Sequence, residues 1–269
     1  MINEIKFEKI LSEVITKEDK IIVLYSGIWS FIKKINFNIN NPKKIPEVIL
    51  DIIEKKIGKD KTLFLPSFTG ESFYKKKYFS IDTDIDKING FIPIAALKRS
   101  YFRTKQPIHS YLVFGKKVKE VRKLKLLTSW GPTSILGWLS KNNARICVMG
   151  IPWNKGCSYL HRFEELYKVP WRYFKIYNGL LIRNNQKKYC FEKKYSSPEN
   201  GVLKYDFNPF VKFLKTKNIF IKGKCDFFLE STTTNQIDNF SKIFYKKNKF
   251  WEIVKNKNEI KNWIKNNPN

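Results

Sequence analysis

Histidine is almost absent, with His109 and His161 the only two in 269 residues. Imidazole is the side chain whose ordinary pKa, ~6.5, falls within the cellular pH range, so any neutral-pH proton transfer by histidine must use one of these two positions. Arginine is scarce too, seven of the 52 basic residues. It is the side chain preferred for forked contacts to phosphates and base edges, so its scarcity argues against a sequence-reading nucleic-acid protein. The net charge of +28 therefore reads as a lysine-rich surface. Abundant Asn and Ile point the same way, to an AT-rich coding bias, and such a surface favours anionic ligands without specific nucleic acid as partner.

Paired cysteines are missing as well. Cys147, Cys157, Cys190 and Cys225 are scattered without a CxxC, which excludes a disulfide framework and disfavours structural zinc; it fits thiols in a reducing compartment. Long apolar runs are also lacking. The longest near the start, from Ile21 to Trp29, is far short of the ~20 residues a bilayer span needs. The opening MINEIKFEKILSE is amphipathic rather than signal-like, so a cytoplasmic protein without a transmembrane segment is expected.

What remains is an ordinary globular composition, 42% hydrophobic, enough for a sizeable core. The first 70 residues alternate. An amphipathic helix carrying Ile5, Phe7, Ile10, Leu11 and Val14 precedes an apolar strand at 21–25, a helix near 45–57 and a strand at 62–66. Further strands are predicted at 110–114 and 144–149, each closed by a glycine, with a turn at Trp130–Ser134 feeding a helix through Leu139. Strand-like runs such as 218–221 and a final helix with Trp251, Ile260 and Trp263 follow. This alternation predicts one α/β unit over 1–269, a parallel or mixed sheet flanked by helices, with a basic C-terminal addition at about 236–269. Ser26-Gly27 after the first strand is a candidate strand-to-helix turn whose N–H groups would receive an anion.

Three segments taken in order carry a resemblance. Phe102-Arg103-Thr104-Lys105-Gln106-Pro107-Ile108-His109-Ser110 is similar to the arginine, hydroxyl, histidine-proline-x-histidine-serine signature of the aminoglycoside 3-N-acetyltransferase family. Trp130-Gly131-Pro132-Thr133-Ser134 resembles its glycine-proline-x-serine turn. Ala144 through Trp153, followed by Ser158-Tyr159-Leu160-His161-Arg162-Phe163-Glu164-Glu165, resembles its buried strand and leucine-histidine-x-x-glutamate helix. Tyr25-Ser26, Leu63–Thr69 and Val169-Pro170-Trp171-Arg172 extend the match over most of 1–235.

The resemblance implies a fold distinct from the GCN5-related acetyltransferases, and direct transfer of an acyl group from acyl-coenzyme A to the amine of an amino sugar, with no metal. A protonated amine cannot attack a thioester, and a neutral imidazole suits removal of its proton near pH 7. His109 is the expected base; His161 and Glu164, spaced i and i+3, are expected on one helix face framing the same cleft. Ser26, Ser110, Ser134 and Arg103 are candidates for the coenzyme's polar groups, the serines reading equally as turn and cap residues. Two other arrangements are conceivable, a Cys157–His161 acyl-enzyme route and a site of two histidines and one carboxylate for a metal, but no HExxH supports the latter.

Two departures bear on the acceptor. Gln106 replaces the signature's first histidine, and Ile94 stands where many antibiotic-modifying members have glutamate. Glu71 remains to meet an amine. With a +28 chain, these favour a neutral or anionically carried amino sugar, nucleotide-linked or from an envelope glycan, over a polycationic antibiotic. Aminoglycoside resistance acetylation is the enzyme alternative, and a non-catalytic basic binding protein on the same fold is the alternative of another class.

Overall fold

The computed structural model describes residues 1–198 and 201–267. Its strands are β1 (Ile21–Ser26), β2 (Thr62–Pro66), β3 (Tyr78–Ser80), β4 (Phe102–Arg103), β5 (Tyr111–Gly115), β6 (Arg145–Met149), β7 (Tyr173–Arg183), β8 (Gln186–Ser196), β9 (Ile221–Lys222) and β10 (Leu229–Thr233). Among the described residues they form a seven-stranded sheet in the order β4-β5-β2-β1-β6-β10-β9 and a three-stranded sheet β3-β7-β8. β1 runs parallel to β2 and β6. The pairings outward to β5, β4, β10 and β9 are antiparallel, so the large sheet is mixed as expected.

β1 is apolar at nearly every position because both its faces are covered, the usual condition of a central parallel strand. Side chains alternate across a strand. Ile21, Val23 and Tyr25 enter one core, and Ile22 and Leu24 the other. The second core is closed by helices Glu4–Val14, Ile45–Ile57 and Phe91–Leu97; the first by helices including Ile135–Lys141, Asn208–Lys215 and Thr234–Lys246. Ile45–Ile57 alone buries Ile45, Ile49, Leu50, Ile52, Ile53 and Ile57, each worth about 1.5–3 kcal/mol of transfer free energy. From the segment beyond 236, Ile237, Phe244, Tyr245, Ile253, Val254 and Ile260 share the first core with β1 and β6.

Several local expectations change. Ile5 lies on the solvent side of its helix, 81% exposed. After Gly27 the chain makes a 3₁₀ turn, Ile28–Ser30, rather than an α-helix. The Gly27 N–H is already donated to the Met149 carbonyl at 2.8 Å, which removes one of the free amides an anion would use. Asn218 is left-handed (φ 51°), so the strand expected at 218–221 shrinks to Ile221–Lys222. Trp251 sits in a 3₁₀ segment, Lys249–Ile253, ahead of the final helix Lys257–Asn266. Among the described residues no helix is long and apolar enough to cross a membrane.

The long β7–β8 hairpin was not anticipated. Arg183 pairs with Gln186 across a two-residue turn in which Asn184 (φ 47°) and Asn185 (φ 61°) are both left-handed. That is the type I′ geometry whose twist matches the flanking strands, and Asn tolerates it.

Candidate active site

The parallel trio β2-β1-β6 has a switch point at β1, since the chain leaves β1 for β2 on one side and later returns as β6 on the other. In open α/β sheets the crevice beyond the carboxyl ends of such strands is where ligands bind. A cavity of about 500 Å³ lies there, walled by Tyr25 and Ser26 at the end of β1, Gly27 just after it, Pro66 ending β2, Ile151 after β6, and His161. Its size is within the ~300–1,000 Å³ common for small-molecule sites. The Ser26 hydroxyl is buried and has no hydrogen-bond partner, so a ligand's polar group would satisfy it.

Each histidine is bound to its own carboxylate. His161 Nδ1 lies 2.7 Å from Glu164 Oε2. Glu164 is fully buried and also receives Arg172 Nε at 2.9 Å and Trp171 Nε1 at 3.3 Å. Burial alone would raise the Glu164 pKa, but Arg172 and His161 together outweigh it and hold it down at about 2. An ionised carboxylate only accepts, so Nδ1 carries the imidazole proton and Nε2 presents a lone pair. Burial lowers the His161 pKa against the pull of Glu164, leaving a neutral base at pH 7.

His109 repeats the pattern. Its Nδ1 is 2.6 Å from Glu192 Oε1, which also accepts from Ser129 Oγ at 2.6 Å. Glu192 Oε2 accepts the backbone N–H groups of Ile108 and His109 at 2.8 and 3.1 Å. Burial opposes its ionisation, but His109 and these donors prevail and keep it below the ordinary range. Burial likewise lowers the His109 pKa. The two positions differ in access: His161 forms part of the cavity wall, whereas His109 packs edge-on against Phe68 and Trp130.

Trp130 joins the two pairs. Its ring stacks on His161 at 4.8 Å and meets His109 at 5.6 Å. The Arg172 guanidinium and the Lys194 ammonium lie 5.1 and 5.8 Å from the indole. Two buried carboxylates and two cations balance only while both imidazoles are neutral. Lys194 donates to Tyr74 Oη at 2.7 Å; burial, with Arg172 adding, brings its pKa down to about 8. The motif's Gly131 has a steric reason. A Cβ there would come within 2.1 Å of Glu165 Oε1, whose partner Oε2 accepts the Trp130 N–H at 3.3 Å.

The other expected site residues fall elsewhere. Ser110 is enclosed, giving its hydroxyl to the Ser67 carbonyl at 2.6 Å and accepting from Arg103 Nε at 3.2 Å. Ser134 caps helix Ile135–Lys141, accepting the Gly137 N–H at 3.1 Å and donating to the Gly131 carbonyl at 2.6 Å. Arg103 is buried against Phe79 and bonded to Ser67 and the Ile81 carbonyl. All three are framework groups without a free polar atom toward the cavity. The Glu71 side chain is 76% exposed and paired with Lys75, and it is not among the residues walling the cavity. Cys157 borders the cavity, but burial pushes its thiol up to about 12, which suppresses the thiolate a covalent route needs. The two histidines and Glu164 do not converge as a metal site; each ring nitrogen facing a carboxylate has a different glutamate.

Glu192, Ser129, Lys194 and Tyr74 were not foreseen, nor was the role of Arg172. One signal was available for the first of these. The Asn184-Asn185 pair marks a hairpin turn, and the period of two beyond it sets Cys190, Glu192 and Lys194 on one face of β8.

A family model described as aminoglycoside 3-N-acetyltransferase matches residues 38–227. Among solved structures, aminoglycoside acetyltransferase AAC(3)-Xa is 15% identical with a TM-score of 0.72, covering 89% of this chain and 91% of that one. AAC-IIIb, determined as a binary complex with CoASH, is 14% identical with a TM-score of 0.74, covering 91% and 97%. YokD from Bacillus subtilis is 13% identical with a TM-score of 0.70, covering 91% and 93%. No curated protein sequence matches the chain. At such identities the structural likeness is one of fold.

Proposed function

The chain belongs to the aminoglycoside 3-N-acetyltransferase family, and from that premise we propose that it transfers an acetyl group from acetyl-coenzyme A to an amine of an aminoglycoside or a closely related amino sugar. The observation that carries the chemistry is His161, neutral, oriented by Glu164 through Nδ1 and exposed to the cavity beyond β1. His161 Nε2 accepts the proton that the amine sheds as its nitrogen attacks the thioester carbonyl. The C–S bond then breaks as the C–N bond forms, and the same proton is available to the departing thiolate. Glu164, itself held by Arg172, fixes the ring and stabilises its transient positive charge.

This reading moves the base from His109, the sequence expectation, to His161, because only His161 belongs to the cavity wall. His109 and Glu192 are assigned to holding Trp130 and the far side of the site. Ser26, with its unsatisfied hydroxyl, remains a candidate for the coenzyme, and Lys87 and Lys155 on the same wall suit its phosphates. The whole chain, including the segment beyond 236, is taken as one acyltransferase unit. Its four free cysteines suit a reducing cytosol.

Solved neighbours of this fold include AAC-VIa bound to sisomicin, which supports an aminoglycoside over the nucleotide-linked or envelope-glycan sugar expected from charge. One observation keeps the latter as a second reading: among the described wall residues of the cavity there are lysines but no Asp or Glu, a poor match for a polycation.

Purified protein given acetyl-coenzyme A, with release of free thiol followed, should acetylate an aminoglycoside. His161→Ala is expected to lose about 10²–10⁴-fold in kcat, the usual worth of a positioned base, while His109→Ala loses less. Wild-type turnover in His161→Ala would end the assignment. Turnover confined to nucleotide amino sugars would favour the second acceptor, and turnover of neither class would favour a binding protein that has kept the fold.

A further inference from the structure

A second cavity, of about 330 Å³, lies between the edge strand β4 of the large sheet and the region where β3 and β7 of the small sheet end. Lysines outnumber arginines more than sixfold in this chain, yet among the described residues of this wall the cations are Arg99, Arg103, Arg122 and Arg183. Four of seven arginines thus meet at one concavity, and no lysine does. A lysine-biased surface does not produce that pattern by chance placement of charge.

The four differ in what they already hold. Arg99 is tied to Asp51 at 2.8 Å and Glu54 at 2.7 Å, and Arg103 to backbone and serine oxygens. Arg122 rests on the Phe102 ring at 5.0 Å, and neither it nor Arg183 is among the salt-bridged residues described. Asp82 is the one acidic residue of the described wall, so positive charge remains in excess. Guanidinium offers two parallel N–H donors that match two oxygens of a phosphate, which an ammonium cannot reproduce.

We propose that this cavity binds a phosphate-bearing metabolite through Arg122 and Arg183, at a site separate from the acyl-transfer cleft. Arg103 spans the wall to Ser110, the neighbour of His109, so the site adjoins the framework behind the second histidine pair. Both proposed ligands of the phosphate are exposed, and replacing them leaves the core intact.

Calorimetric titration of the full chain with inorganic pyrophosphate tests this. The wild type should bind with one-site stoichiometry. Arg122→Gln/Arg183→Gln, folded by its melting curve, should bind at least about tenfold more weakly, as loss of charge-assisted bonds predicts, with the KM for acetyl-coenzyme A unchanged. Absence of wild-type binding, or equal binding in the double variant, overturns the proposal. A raised KM for acetyl-coenzyme A in the double variant, with adenosine 3′,5′-bisphosphate bound by the wild type and lost in the variant, would also overturn it: the cavity would then belong to the coenzyme's own nucleotide end.

Discussion

Lys194 is the cation that both imidazoles feel. It lowers the pKa of His109 and of His161, in each case behind burial, which is the larger cause. His109 faces Glu192 and Lys194, and His161 faces Glu164, Arg172 and Lys194, with Tyr74 holding the lysine itself. Lys194→Met removes one positive charge from this group, so protonating the imidazoles becomes easier and their pKa values rise. The acid limb of the kcat/KM profile should therefore move to higher pH, by up to about one unit, or ~1.4 kcal/mol. An unmoved limb would mean that the lysine acts only through its bond to Tyr74.

At the scale of elements, helix Ile135–Lys141 distinguishes two uses of a serine. Ser134 accepts from the Gly137 N–H, so Ser134→Ala should lower unfolding stability by about 1 kcal/mol, the usual cost of a lost cap. The KM for acetyl-coenzyme A should not change, because the hydroxyl is spent on Gly131 and Gly137. Denaturant titration and initial-rate kinetics on the same variant check both parts; a raised KM with normal stability would restore the coenzyme role. The β7–β8 hairpin has the opposite character. Its turn is local, but its consequence is distant, since the pairing register alone decides that Glu192 rather than Phe191 faces His109.

For the whole molecule, the buried neutral histidines link stability to pH. Both have pKa values below the ordinary 6.5 in the folded state. Above pH 6.5 neither state protonates them. As pH falls below that value the unfolded chain takes up protons first, so stability is lost through the window down to the folded pKa values. Glu164, held at about 2, and Glu192, also lowered, extend the loss below the ordinary glutamate range. At constant ionic strength, Tm should already decline between pH 7 and 5.5, and His109→Gln/His161→Gln should flatten that part of the curve. Glu165, which burial pushes up to about 7, binds its proton first in the folded state and offsets part of this loss, so equal slopes in the wild type and the double variant, rather than a level wild-type curve alone, would contradict the neutral assignment.

Residues close along the chain were enough to locate β1, β2 and β6, helix Ile45–Ile57, the Ser134 cap and the His161–Glu164 pair, because each depends on periodicity, a turn or an i,i+3 spacing. They did not reveal that Glu192 belongs to His109, 83 residues away, or that Lys194 and Arg172 share one indole. Nor did they show that His161, rather than His109, meets the cavity. Those relations arise when the small sheet packs beside the carboxyl end of the large one. Local spacing has no term for such contacts; burial supplies one, since a carboxylate taken out of water must find its cation and its donors wherever the fold brings them.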